Sequence, residues 1–175
     1  LKSISSPAAI MLAGVIKFNA SLTELNLYQS SIKDEGVTAI CEALQSNKET
    51  KLASLNIGFN SIGPAGAKSV AAMAAVVASL TSLNLSWNDL TNEGRDMTGI
   101  AAIAEALKVT ASLTECNLRN NRLKDEGVSA VCDAVQSNKQ TKLASLNLAS
   151  NDCGSAGAKS VAAMVAVTGS LTQVR

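Results

Sequence analysis

The frame Leu-x-x-Leu-x-Leu recurs along this chain and limits what it can fold into. It starts at Leu22, Leu52, Leu80, Leu113 and Leu143, and a sixth copy opens at Leu171 and runs to Arg175. The spacings are 30, 28, 33, 30 and 28 residues, and Leu-Ala-Ser-Leu-Asn-Ile at Leu52 returns as Leu-Ala-Ser-Leu-Asn-Leu at Leu143, an offset of 91. Units this short cannot bury two faces alone, so neighbours must stack into a solenoid with one continuous core.

Within a unit the apolar period changes. In the second copy Leu52, Leu55, Ile57 and Ile62 hold positions 1, 4, 6 and 11. The alternation around Leu55 and Ile57 is that of a short strand with one buried face, which turns Asn56 outward. Position 9 is Asn60, Asn88, Asn121 and Asn151, where a carboxamide can bond the backbone of the turn leaving the strand; Ser30 takes that place in the first copy and should do it less well. Asp34-Glu35-Gly36 and Asp125-Glu126-Gly127 then read as acidic helix starts with Asp as N-cap. Val37, Ile40, Cys41 and Leu44 follow at helical spacing, as do Val128, Val131, Cys132 and Val135. The third copy is longer, with Arg95 to Gly99 extending the loop before Ile100, Ile103, Ala104 and Leu107. Residues Pro7 to Ala20 align with that helix at the 91-residue offset.

The expected fold is an α/β solenoid, with a parallel sheet on the concave side and helices on the convex side, because helices are wider than strands. It forms one domain over 1–175, with repeats 22–51, 52–79, 80–112, 113–142 and 143–170 between partial units 1–21 and 171–175. These partial ends suggest a segment of a longer array that lacks at least one polar cap.

The frame Leu-x-x-Leu-x-Leu-x-x-Asn-x-(Leu/Ile), followed by Asp-Glu-Gly or Gly-x-x-Gly-Ala and a full helix, resembles the ribonuclease-inhibitor-like class of leucine-rich repeats over essentially the whole chain. That class includes ribonuclease inhibitor, the sensing domains of nucleotide-binding immune receptors, and an activating protein for a small nuclear-transport GTPase. The resemblance implies a protein-binding horseshoe. Ser30, Cys116 in place of a frame Leu, and the long third unit depart from the pattern and put local geometry in question.

Composition narrows the partners. The formal charge is +1 with scattered lysines, which gives no basic stripe for nucleic acid. The longest apolar stretch, Val70 to Ala78, is too short to insert into a membrane, and the first residues do not read as a secretory leader. Charged residues are 17% of the chain, against about 25% in ordinary soluble proteins, so part of the surface is expected to be covered by something other than water. Cys41, Cys116, Cys132 and Cys153 all occupy apolar slots of the repeat. They are expected as buried, reduced thiols in an intracellular, cytoplasmic setting.

No cofactor or metal site is expected, since His is absent and no C-x-x-C occurs. Gly63-Pro-Ala-Gly-Ala-Lys-Ser69 superficially resembles a phosphate-binding loop, but Ala67 and Ile62 stand where that loop needs Gly. Without a nucleophile and its base, catalysis is not expected either. The expected activity is the binding of a protein partner on the concave face. Three of the four aromatics, Tyr28, Phe59 and Trp87, fall at outward strand-exit positions of consecutive repeats, and Arg119 borders them in the next. Trp, Tyr and Arg are the types enriched among binding hot spots. Glu24 and Glu115, with Asn26, Asn56, Asn84, Asn117 and Asn147, are expected to form a polar floor, with the asparagines as an amide ladder between strands. The alternatives are a structural subunit of a large assembly, packed laterally through Met73, Val76, Met164 and Val167 on the helical face, and a regulator such as an enzyme inhibitor or GTPase activator.

Overall fold

The computed structural model describes residues 4–175. Helix and strand alternate throughout: α1 (Ser6–Ile16), β1 (Glu24–Asn26), α2 (Lys33–Ser46), β2 (Ser54–Asn56), α3 (Pro64–Ala74), β3 (Ser82–Asn84), α4 (Thr98–Val109), β4 (Glu115–Asn117), α5 (Lys124–Ser137), β5 (Ser145–Asn147), α6 (Ser155–Val167) and β6 (Gln173–Val174). The six strands form one open parallel sheet in chain order, in a register that places Leu25, Leu55, Leu83, Cys116, Leu146 and Val174 in one row. Each helix packs against the next in sequence. Strands lie about 4.8 Å apart and packed helices 8–10 Å apart, so the stack curves with the sheet on its inner side.

The core is the repeat frame. Leu52, Leu55, Ile57 and Ile62 are completely or almost completely buried, and so are Val37, Ile40, Cys41 and Leu44 on α2. Along α3 and the turn after it the buried stripe is Val70, Met73, Ala74 and Val77, again at i, i+3, i+4, i+7. Met73 therefore lies in the core with no exposed surface, as does Met164 in α6. The expected lateral packing through these two methionines is wrong, because the helix phase sends them inward. Val76 and Val167, at 61% and 69% exposure, do face outward.

Cross-repeat hydrogen bonds tie the array together. Asn60 Nδ2 donates to the carbonyls of Leu27 and Gly58 at 2.8 and 2.9 Å, while its Oδ1 accepts from the N–H groups of Ser30 and Ile32. Each position-9 carboxamide thus bonds its own turn and also reaches the preceding repeat; Asn88 donates to Ile57 O, and Asn151 to Leu118 O. The Ser30 hydroxyl makes one long bond, 3.5 Å to Tyr28 O, and reaches no other repeat among the described residues. Asn121 Oδ1 has no partner among the described residues, and the repeat before it is the long third one. There the turn is reshaped, with Asn92, Glu93 and Gly94 at positive φ and Thr91 Oγ1 bonding the carbonyls of Asn121 and Arg122.

The helix starts depart from expectation. Asp34 does not cap its own helix, since α2 begins at Lys33 with Ile32, two residues before Asp34, as N-cap. Its Oδ1 instead accepts from Gly63 N–H, the N-cap of α3, at 2.6 Å. Asp125 likewise accepts from Gly154 and Gly157 N–H at 2.7 and 2.8 Å, capping α6 from the neighbouring repeat. At the other helix ends, Asn47 Nδ2 donates to Ile16 O and Asn19 O, and Asn138 Nδ2 to Leu107 O and Thr110 O.

Cys41, Cys116 and Cys132 are buried, but Cys153 is exposed, contrary to expectation. The equivalent residues Ile32, Ile62, Leu90 and Leu123 are fully covered by the following repeat, and after Cys153 that repeat contributes only the short β6.

Candidate functional site

The site is set by how each strand ends. The outward Asn at position 5 accepts at Oδ1 from the N–H two residues on: Asn26 from Tyr28, Asn56 from Gly58, Asn84 from Ser86, Asn117 from Arg119 and Asn147 from Ala149, at 2.9 to 3.2 Å. These turns bend the chain out of the sheet. Position 8 then adopts the left-handed region, at φ 55° for Gln29, 57° for Phe59, Trp87 and Asn120, and 58° for Ser150. The position-9 carboxamide turns back into the core, so side chains at positions 7 and 8 project along the inner edge. The expected amide ladder between position-5 asparagines does not form, because their acceptor oxygens are engaged by their own strands. The carboxamides that link repeats belong to position 9.

Tyr28, Phe59 and Trp87 are 44%, 46% and 44% exposed and form one row. Ring centroids are 6.2 Å apart in both pairs, with planes tilted by 42° between Tyr28 and Phe59 and by 46° between Phe59 and Trp87. The Arg119 guanidinium stands 6.0 Å from the Trp87 ring centroid and ends the row. Such a contact is worth about 0.5–1 kcal/mol where exposed. Phe and Trp at positive φ are outliers for bulky residues, and such strain persists where surrounding structure enforces it.

Gly58 completes the row, although its recurrence pattern gives it no special weight. A Cβ there would stand 3.0 Å from Tyr28 Cδ2 and 3.0 Å from Ser86 O, so glycine leaves room for the tyrosine ring to lie against the second repeat. The available signal was a glycine at position 7 beside two aromatics. A cleft of about 400 Å³ runs along the outer side of the row, bounded by Phe59, Trp87, Asp89, Asn120 and Arg122.

Glu24 and Glu115 lie at the entry side of the sheet, both exposed, in the row that includes Ser54 and Ser82. Although three strands apart, both line one cavity of about 150 Å³ with Ser54, Asn56, Ser82 and Asn84, and Ser82 Oγ donates to Glu115 Oε2 at 3.1 Å. The structure thus brings Tyr28, Phe59, Trp87 and Arg119 together at the strand exits, and Glu24 with Glu115 on the floor. Val76 and Val167 are remote from both, on the helical side. Among the described residues no group of three or more Cys, Asp or Glu is placed to hold a metal ion. Burial, reinforced by Glu115, pushes the Cys116 thiol up to about 12; burial, with Asp133 and Cys153, does the same for Cys132. Burial, reinforced by Glu42, pushes Cys41 higher still. None of these three thiols is a nucleophile at neutral pH.

Comparison with known proteins gives the same architecture. Solved structures with this fold include leiomodin-1 actin-binding site 2, with a TM-score of 0.70, 21% identity, and coverage of 92% of this chain and 87% of that one. Another is the Caenorhabditis elegans tropomodulin C-terminal domain, with a TM-score of 0.68, 17% identity, and coverage of 93% and 92%. In sequence, the chain is 36% identical over 88 residues to mouse NACHT, LRR and PYD domains-containing protein 12, covering 50% of this chain and 8% of that protein. It is 35% identical over 91 residues to human NACHT, LRR and PYD domains-containing protein 13, covering 52% and 9%. The matched segments thus span less than a tenth of the length of these relatives. The family described as Leucine Rich repeat matches at 18–41, 48–71, 78–97, 111–132 and 139–162, more than half of the chain. With those five matches falling on the five strand-turn-helix units described above, the chain belongs to the leucine-rich-repeat family.

Proposed function

We propose that this chain is a protein-recognition module without chemistry of its own, holding a protein partner on its concave face through Tyr28, Phe59, Trp87 and Arg119. Leucine-rich repeats are in general protein-interaction modules, and no helix among the described residues is long and apolar enough to cross a membrane. The observation that carries the proposal is the row of three half-exposed rings ended by a guanidinium, with two of the rings on strained backbone. Position 8 is left-handed in every repeat, so the fold sets that backbone; what a binding surface accounts for is the choice of a bulky ring there in two repeats where Asn would sit with less strain. Glu24 and Glu115 would supply the polar part of the same face. Three buried, unreactive thiols suit an intracellular, cytoplasmic setting. Leiomodin-1 actin-binding site 2 shares this fold, so actin is one protein to test.

The test is affinity capture from source-cell lysate and from purified actin, using the chain as bait beside a Phe59→Asn/Trp87→Asn form shown to be folded by its circular dichroism melt. A partner held by the first and weakened by about 2 kcal/mol or more in the second supports the reading. Equal retention by both removes the aromatic row from it. The second reading, a structural subunit packed through its helical side, rests on exposed Val76 and Val167 and is weakened by the burial of Met73 and Met164. It expects Val76→Asp/Val167→Asp, and not the aromatic variant, to release the partner.

A further inference from the structure

Resting on that reading of the concave face, we propose that the segment held there is an extended, proline-rich stretch carrying two basic residues. Hydrogen-bond polarity is the first argument. Asn26, Asn56, Asn84, Asn117 and Asn147 each engage Oδ1 with their own backbone, while their Nδ2 groups have no protein partner among the described residues. The centre of the floor therefore presents an excess of donors, two N–H groups against one remaining Oδ1 lone pair per strand, with the Arg119 guanidinium adding more donors at the rim. An ordinary peptide brings equal numbers of N–H and C=O groups and matches that excess of donors less well. A polyproline II stretch brings carbonyls with few N–H groups.

Spacing agrees with this polarity. Two inter-strand steps are about 9.6 Å, and the three-residue turn of polyproline II rises about 9.3 Å. A carbonyl that meets one Asn therefore returns in the same orientation at the second Asn beyond it. The aromatic row points the same way. Three neighbouring rings 6.2 Å apart, each about half exposed, offer a continuous apolar surface on which a puckered pyrrolidine can pack. Aromatic-lined grooves are a general means of holding such helices.

Charge complementarity gives the basic residues. Glu24 and Glu115 share one cavity and lie three strands, about 14 Å, apart. That distance is four to five residues of polyproline II. The carboxylate row is two residues along each strand from the Asn row, about 6.6 Å, within reach of a Lys or Arg stem.

The probe is the fluorescein-labelled peptide Pro-Pro-Arg-Pro-Pro-Pro-Arg-Pro-Pro, titrated by fluorescence polarisation at physiological salt against the whole chain. Saturable binding is expected, about tenfold weaker when all prolines become Ala, and about tenfold weaker when both arginines become Gln. The decisive variant is Asn56→Asp with Asn84→Asp, which keeps the acceptor for the Gly58 and Ser86 N–H groups but deletes the outward donors. It should bind about tenfold more weakly although it adds negative charge opposite a basic peptide. Equal binding of the Ala peptide, tighter binding by the Asp variant, or no saturable binding below millimolar concentration overturns the proposal. If the probe fails while a captured protein still depends on Phe59 and Trp87, only the peptide class is lost; if that protein too is held equally by both forms, the concave-face reading falls with it.

Discussion

At the scale of single residues, the carboxamides at position 9 tie adjacent repeats by hydrogen bonds that no apolar side chain of similar size can make. Asn60 is almost completely buried and satisfies four backbone groups in two repeats. Removing it leaves buried donors and acceptors without partners, at about 1–3 kcal/mol each before water or relaxation intervenes. Asn60→Ala should therefore cost about 3 kcal/mol in urea unfolding. Asn88→Ala should cost less because Asn88 is only half buried, and equal losses would contradict this account. A different balance holds at Trp87. Asn tolerates φ near 57°, so Trp87→Asn exchanges the loss of ring contacts, about 0.5–1.5 kcal/mol, for relief of strain of about 1–3 kcal/mol. Stability should stay within about 1 kcal/mol of the parent, whereas Trp87→Val, β-branched at the same φ, should fall clearly below it in thermal melts. The thiols separate by burial. Cys153 should be alkylated rapidly by a maleimide in the native state, and Cys41, Cys116 and Cys132 only on unfolding. Because the folded values of the last two, about 12, exceed the ordinary 9.0, the native state holds its thiol protons longer than the unfolded chain. Their contribution is complete below about pH 9 and declines as pH rises toward 12.

At the scale of elements, the 91-residue period has a physical origin in helix capping. α2 caps both of its neighbours: Asp34 takes the N-terminus of α3, and Asn47 takes the last carbonyl of α1, at Ile16, with that of Asn19 in the loop beyond it. α5 does the same for α6 and α4 through Asp125 and Asn138. Thr38 with Ser69, and Ser129 with Ser160, add one hydroxyl bond to each pair. The unit is thus a helix triplet around a central capping helix. Asp125→Ala should cost about 1 kcal/mol, as for an N-cap. The loss should appear as faster amide exchange at the start of α6, and exchange confined to α5 would refute the cross-repeat assignment. This is also where sequence reasoning reached its limit. Strand positions, core stripes and the meeting of Tyr28, Phe59 and Trp87 were legible because they follow from a fixed period. Asp34 was misassigned because capping preferences describe a helix by its own flanks, while the orphan N–H groups that Asp34 meets lie on the next repeat. The outward asparagines were misread for a similar reason: a one-per-strand pattern fits an inter-strand ladder and a local turn equally well, and only geometry separates them. The inward phase of Met73 was available from Val70 and Val77, which stand three residues before it and four after.

At the scale of the whole molecule, the two triplets meet between α3 and α4, and that contact differs from the others. No residue of α3 is placed to cap α4, and among the described residues no side-chain hydrogen bond joins them; contact is made by small groups. A Cβ added at Gly99 would come within 2.5 Å of Leu90 O, 2.7 Å of Pro64 Cα and 3.0 Å of Ala67 Cβ. Two of those neighbours are backbone, so the strain cannot be relieved by rotating a side chain. Gly99→Ala would therefore push α3 and α4 apart on the helical side of the seam, where no side-chain hydrogen bond joins them, leaving the β2–β3 ladder and the Asn88 bonds to hold the sheet side. Solenoid stability is close to a sum of unit and interface terms, so weakening one interface lowers cooperativity as well as total stability. The parent should unfold in one transition, with circular dichroism and Trp87 fluorescence coincident. In Gly99→Ala the two probes should separate, because Trp87 lies on the third repeat beside the seam and reports its opening while helices on either side persist. Gly127→Ala, in the uninterrupted second triplet, is the control: its Cβ would meet only the side chains of Leu123 and Ile100, at 3.0 Å and beyond, and the transition should stay single. A single coincident transition in both variants would mean that the seam is as strong as the capped junctions and that the triplet is a pattern of sequence without an energetic counterpart.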